Sequence, residues 1–208
     1  MSLPEAVHES WVTGRRVRVL SAALAESISG GGSLLDVGCG DGRLAAELGR
    51  LCPGIEVRGI DVDVRPEVAV AVEPFDGERL PFEDRSFDTV MMVDVLHHTE
   101  DPLRLMRETA RVSRKSVLLK DHLLSGPFAS ATLRFMDQVG NRRYGVPLPY
   151  NYWREDQWRA AFEQLGMRIE TWTDRLGIYP WPMSVLFDRG LHFIARLSVG
   201  RETGEPVE

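Results

Sequence analysis

The sequence predicts an α/β protein with a parallel sheet covered by helices on both faces. Three observations carry this. Short apolar runs recur at 33–37, 55–60, 87–93 and 115–120, helical patterns alternate with them, and the first run stops at a cluster of glycines. Crossovers between such strands are right-handed, and ligands bind beyond the strands' carboxyl ends. With 208 residues, the chain suits one domain over 1–200 with a sizeable core.

Residues 4–29 read as helical, with Val17, Leu20, Leu24 and Ile28 on one face, and Gly14 can divide a short first helix from a longer second one. Gly30-Gly31-Gly32 is a connector. The first strand, 33–37, feeds a helix over 41–51, with Leu44, Leu48 and Leu51 on one side. Pro53-Gly54 stops it, and 55–60 forms the second strand, ending on Asp61. A short helix is expected over 62–68, a third strand over 69–73 and a loop over 74–86. The fourth strand, 87–93, is apolar nearly throughout, as strands buried on both faces are. Asp101-Pro102 is a strong helix start, an Asp cap followed by Pro at the first helical position. The fifth strand spans 115–120. Beyond it, 125–139 reads as a helix burying Phe128, Ala131, Thr132, Phe135 and Val139. A Pro-rich loop over 140–152 leads to a helix over 153–165 that buries Trp158, Ala161, Phe162 and Leu165. Two last strands, 167–174 and 191–198, flank an aromatic loop at 177–183. The tail 201–208 is polar and expected to be disordered.

The composition is that of an ordinary globular protein, 43% hydrophobic and 27% charged. A net charge of −6 argues against a nucleic-acid partner. Two cysteines, Cys39 and Cys52, support neither a disulfide framework nor a zinc site, and no metal is expected. No apolar run reaches 18 residues, so no membrane span is expected. The N-terminus carries Glu5, His8 and Glu9 where a signal peptide needs a basic then an apolar stretch, so a cytoplasmic location is expected.

The glycine cluster lies in 34–42, LLDVGCGDG. Glycine permits a sharp turn and close approach to a ligand, and the following helix N-terminus offers unpaired N–H groups. A phosphate loop would need GxxxxGK[ST], yet 36–42 contains no Lys, Ser or Thr. The loop carries Asp36 and Asp41 instead. Two carboxylates suit a ligand bearing an ammonium and a sulfonium, as S-adenosylmethionine does. About 20 residues on, Asp61 can accept hydrogen bonds from ribose hydroxyls or cap the segment 62–68. Asp76, followed by Gly77, is a plain turn residue or an acceptor for an adenine amino group.

LLDVGCGDG, GIDVD at 59–63 and FDGERLPFEDRSFDTVMMVDVLHH at 75–98 together resemble the class I S-adenosylmethionine-dependent methyltransferases, in particular the small-molecule branch whose fourth strand follows an "LPF…SFD" loop. The likeness covers about 34–121. It implies a Rossmann-like, doubly wound sheet of seven strands, the last antiparallel, with helices on both faces. It implies Asp36, Gly38 and Gly40 around the methionine part of the cofactor, Asp61 on the ribose and Asp76 near adenine. Cys39, Val62, Gly77, Val93 and Asp94 adjoin these positions and complete the expected cofactor surface. Residues 1–32 become an N-terminal helical segment and 122–152 a cap over the substrate.

Candidates for chemistry stand at the strand ends. His97 and His98 follow the fourth strand and can serve as a base, or can pack or cap ahead of the helix at 102. Lys120, Asp121 and His122 end the fifth strand, with His122 a further base and Asp121 its orienting partner. Phe135, Tyr144, Tyr150 and Tyr152 are expected to line a pocket for an apolar or aromatic substrate, although the aromatic region can equally form a homodimer contact. The resulting expectation is methyl transfer from S-adenosyl-L-methionine to an O, N or C nucleophile of a small molecule, leaving S-adenosyl-L-homocysteine. Its rivals are a non-catalytic protein that binds the cofactor and a nicotinamide-dependent oxidoreductase. The latter would need GxGxxG and a phosphate-friendly loop, and the sequence has neither.

Overall fold

Neighbouring residues on a strand point to opposite faces of its sheet, so a strand covered on both sides buries adjacent apolar residues into different layers. Leu34 and Leu35, Met91 and Met92, and Leu118 and Leu119 divide in this way. The computed structural model describes residues 14–28, 30–141 and 148–200. In it, strands β1 (Gly32–Val37), β2 (Ile55–Asp61), β3 (Val72–Pro74), β4 (Phe87–Val93), β5 (Ser113–His122), β6 (Met167–Thr173) and β7 (His192–Val199) form one seven-stranded sheet. The order is β3-β2-β1-β4-β5-β7-β6. All pairs are parallel except those of β7, which runs antiparallel to both β5 and β6.

One face is covered by helices α1 (Gly14–Glu26) and α2 (Arg43–Leu51), with Leu20, Leu24 and Leu48 packed on Leu34, Met91, Leu118 and Ile194. The other is covered by α3 (Pro102–Val112) and α5 (Glu155–Gln164), with Leu105, Met106, Trp158 and Phe162 packed on Leu35, Met92, Leu119 and Phe193. The expected start of α3 is present: the Asp101 carboxylate accepts from Arg104 N at 3.0 Å, with Pro102 at the first position. Among the described residues, no helix is long and apolar enough to cross a membrane.

Three expectations need correction. No helix occupies 62–68. That segment lies along the glycine turn, with Ala69 N donating to Asp41 O at 2.8 Å, and the third strand starts only at Val72. The fifth strand is longer at both ends than its apolar stretch, because Ser113 and the buried Lys120, Asp121 and His122 all belong to the ladder. Helix α4 (Ala129–Asn141) buries Ala129, Leu133 and Asp137, whereas Phe128, Phe135 and Val139 are 83%, 56% and 56% exposed. The apolar stripe read from the sequence faces outward, because the inward face carries a carboxylate. A short helix, α6 (Ser184–Phe187), precedes β7. Residues 4–13 of the first helical segment and the tail 201–208 lie outside the described residues.

Candidate active site

The turn after β1 is tied to the end of β2. Gly38 N and Cys39 N both donate to Ile60 O, at 2.8 and 3.1 Å. Gly40 N donates to Asp61 Oδ2 at 2.7 Å, and Asp63 N to Asp61 Oδ1 at 3.0 Å. Gly38 and Gly40 have φ of 71° and 60°, a region that side chains disfavour. A Cβ on Gly38 would come within 2.6 Å of Val95 Cγ2, so the backbone passes directly under the residue that follows β4 and Asp94. Gly38→Ala should therefore cost about 2–4 kcal/mol, from left-handed strain and overlap together. Adding Val95→Ala should recover only the overlap part. Urea denaturation of the single and double variants checks both.

Asp36, at the end of β1, is 2% exposed. Burial, followed by the charge of Asp61, pushes its carboxyl up to about 8. The acid is thus neutral at pH 7 in the folded chain but ionised when unfolded. The stability this neutral form contributes is fully present below the ordinary aspartate value and is lost as pH rises toward 8. Asp36→Asn should flatten that loss, which is on the order of 3–5 kcal/mol between pH 4 and 8. Denaturation curves at both pH values test it. Cys39 packs its sulfur on Gly59, and burial, aided by Asp36 and Asp61, pushes the thiol up to about 12. Val62 is exposed and adjoins Gly77, where a Cβ would lie 3.1 Å from Val62 Cγ1. Asp76 accepts from Glu78 N and Arg79 N at 2.8 and 2.7 Å, the turn geometry expected of Asp-Gly. Arg65, which sequence reading passed over, lies across the turn, with its guanidinium 3.2 Å from the Cβ position of Gly40.

Beyond β4 and β5 the strand ends converge on a buried polar network. Val93 pairs with Lys120, so the residues just past them meet. Asp94, in a left-handed conformation (φ 58°), is bound by Lys120 and by Arg16 of α1. Burial works against its ionisation, but Lys120 and Arg16 outweigh it and hold the carboxyl well below the usual range. Asp121 is fully buried. Its Oδ1 lies 2.6 Å from both His97 Nδ1 and His122 N, and its Oδ2 accepts from Leu96 N at 3.0 Å. Asp137 of α4 closes the far side, 3.1 Å from His122 Nε2 and 3.6 Å from His97 Nε2, and takes the Tyr152 hydroxyl on its other oxygen. His122 Nδ1 stands 3.1 Å from His192 Nδ1, the residue opposite it on β7.

The three adjacent imidazoles differ in state. Burial would lower His97, but Asp121 and Asp137 outweigh it and raise it to about 10. His122 is lowered by burial and by the charge of His97. His98 is half-buried, its ring 4.0 Å from that of His97, and the same two causes lower it. His97 is therefore a held cation, and His98 a neutral imidazole nearer the surface.

Of the expected substrate residues, Tyr152 joins the network, Tyr150 lies under the Arg134 guanidinium at 4.8 Å, and Phe135 stacks on Phe187 at 6.4 Å. Tyr144 lies outside the described residues. Sequence reading missed Arg16, Asp137 and His192. Only the β5–β7 register and the true face of α4 bring the last two in.

The cradle fits S-adenosylmethionine: a glycine, Gly38, that admits no Cβ under Val95, a strand-end carboxylate on Gly40 N, and acids rather than phosphate ligands. The fold and this cradle are similar to those of the class I S-adenosylmethionine-dependent methyltransferases. More narrowly, residues 35–119 match the family described as "Methyltransferase domain". An uncharacterized methyltransferase of Mycobacterium sp. (strain JLS) is 33% identical over 140 residues, 63% of this chain and 55% of that protein. The 27-O-demethylrifamycin SV methyltransferase of Amycolatopsis mediterranei is 33% identical over 160 residues, 69% of this chain and 57% of that protein. The chain thus spans little more than half the length of these curated relatives. An S-adenosylmethionine-dependent methyltransferase from Mesorhizobium loti shares the fold, with a TM-score of 0.63 at 18% identity over 85% of this chain and 96% of that one.

Proposed function

We propose that this chain catalyses methyl transfer from S-adenosyl-L-methionine to an O, N or C nucleophile of a small, apolar or aromatic molecule. The observation that carries this is the close approach of Gly38 to Val95, the residue directly before the turn Leu96–His98 that carries both imidazoles. When bound, the cofactor supplies an electrophilic methyl group. The carboxylate of Asp61 would hold the ribose, and Asp36 and the turn would surround the methionine portion. Neutral His98 can accept a proton from the nucleophile at a ring nitrogen, while His97 keeps its own. The exposed aromatics Phe128, Phe135 and Trp181 and the apolar Val185 and Leu186 support an apolar acceptor. The 27-O-demethylrifamycin SV methyltransferase is named for a small-molecule acceptor, which is consistent with that size class.

Calorimetry with S-adenosylhomocysteine and with NADH tests the cofactor. Binding of the first alone is expected, and binding of NADH alone would sink the reading. His98→Ala should lower kcat while leaving S-adenosylhomocysteine affinity within about twofold, since the base acts on the acceptor.

A further inference from the structure

We propose that His97, His98 and Asp137 form a site for a divalent transition-metal ion. Each brings one donor atom within 4.8 Å of the other two. Bonds of about 2.0–2.2 Å place donors on a shared ion some 3–4 Å apart, and His97 Nε2 and Asp137 Oδ1 stand at 3.6 Å.

The surroundings match what metal ligands require. A ligating imidazole donates its other N–H to a carboxylate or carbonyl, which fixes its tautomer. His97 Nδ1 lies 2.6 Å from Asp121 Oδ1, and Asp121 is itself anchored by Leu96 N and His122 N. A ligating carboxylate is in turn hydrogen-bonded. Asp137 takes the Tyr152 hydroxyl on Oδ2, and His122 Nε2 is 3.1 Å from Oδ1. Two ligands, His97 and Asp137, are buried, whereas His98 is half-buried.

The donor set selects the metal class. Two imidazoles and one carboxylate favour Zn²⁺, Fe²⁺, Co²⁺ or Ni²⁺ over Mg²⁺ and Ca²⁺, which prefer oxygen shells. A second trio, Asp94, His97 and His122, also brings its donors within 4.8 Å. It is the poorer site, because Lys120 and Arg16 already neutralise Asp94 and would repel a cation. Loading the His97 site displaces the Nε2 proton to solvent, so one proton leaves for each ion bound. When bound, the ion would take the place of His98 as the group that activates the acceptor, by holding an acceptor oxygen and lowering its pKa.

The full chain, freed of metal by chelation and without cofactor, should be titrated with Co²⁺ by visible absorption and with Zn²⁺ by calorimetry. One equivalent with Kd below about 100 μM is expected, accompanied by cobalt absorption from nitrogen and oxygen ligands. Asp137→Asn and His98→Gln should each weaken binding at least about tenfold, and Tyr152→Phe by about the same order through its hold on Asp137. His98→Gln, at a half-buried position, keeps the test open if the buried Asp137 variant fails to fold. Binding weaker than about 100 μM for both ions, or unchanged in His98→Gln, would overturn the proposal. Neither measurement involves the cofactor, so the result is separate from that of the methyl-transfer reading.

Discussion

Asp61→Ala is expected to lower S-adenosylmethionine affinity about 100-fold while the chain stays folded. The carboxylate already has two fixed tasks. It accepts Gly40 N at 2.7 Å and Asp63 N at 3.0 Å, one on each oxygen. A carboxylate has about four acceptor sites, so capacity remains for ribose hydroxyls. Removing it takes away charge-assisted bonds worth about 1.5–3 kcal/mol each and leaves Gly40 free to leave its binding conformation. A net loss near 3 kcal/mol corresponds to the stated factor. Asp61 is half-buried at a strand end, so the cost to folding is smaller than the cost to binding. Calorimetry with S-adenosylhomocysteine, beside urea denaturation of the same variant, separates the two. Undiminished affinity would remove Asp61 from the cofactor site.

The parts of the fold that proved legible are those where local chemistry and tertiary packing agree. Leu34 and Leu35, the glycines behind them and Asp101-Pro102 each specify backbone locally, and the sheet then buries what they present. Residues 62–68, expected as a short helix, form none; just beyond them Ala69 N is held by a tertiary bond to Asp41 O. Helix α4 misled as well. Reading apolar residues as inward puts Phe135 in the core and Asp137 in water, but Asp137 is buried by its bonds to His122 and Tyr152. A carboxylate repaid by long-range partners looks like a surface residue in sequence. The same holds for His192, which stands opposite His122 only through the antiparallel register of β7 on β5. His97, His98, Asp121 and His122 were legible as residues at strand ends, a place that α/β sheets give to ligands. Their different protonation states were not, because these follow from distances to Asp121 and Asp137.

Asp121→Asn is expected to be the most destabilising conservative change among the network residues, at about 3–5 kcal/mol, or a Tm lower by about 10 °C. Nearly all of the side chain's capacity is in use: Oδ1 serves His97 Nδ1 and His122 N, and Oδ2 serves Leu96 N. An amide in the same space must turn its NH₂ toward one of these donor groups, which places two donors face to face without water. It also removes the negative charge that, with Asp137, keeps buried His97 protonated. Burial, the first influence on that imidazole, acts in the opposite direction and would then have less to oppose it. The variant thus loses hydrogen bonds and strands a buried group together, the combination that makes breaking a buried pair costlier than never having built one. Replacing both members, as in His97→Leu with Asp121→Leu, removes the stranded charge. The double variant should therefore lose less than the sum of the two single losses. Urea denaturation of all three variants measures the coupling. Strict additivity would mean that the 2.6 Å contact contributes nothing to holding the ends of β4 and β5 together.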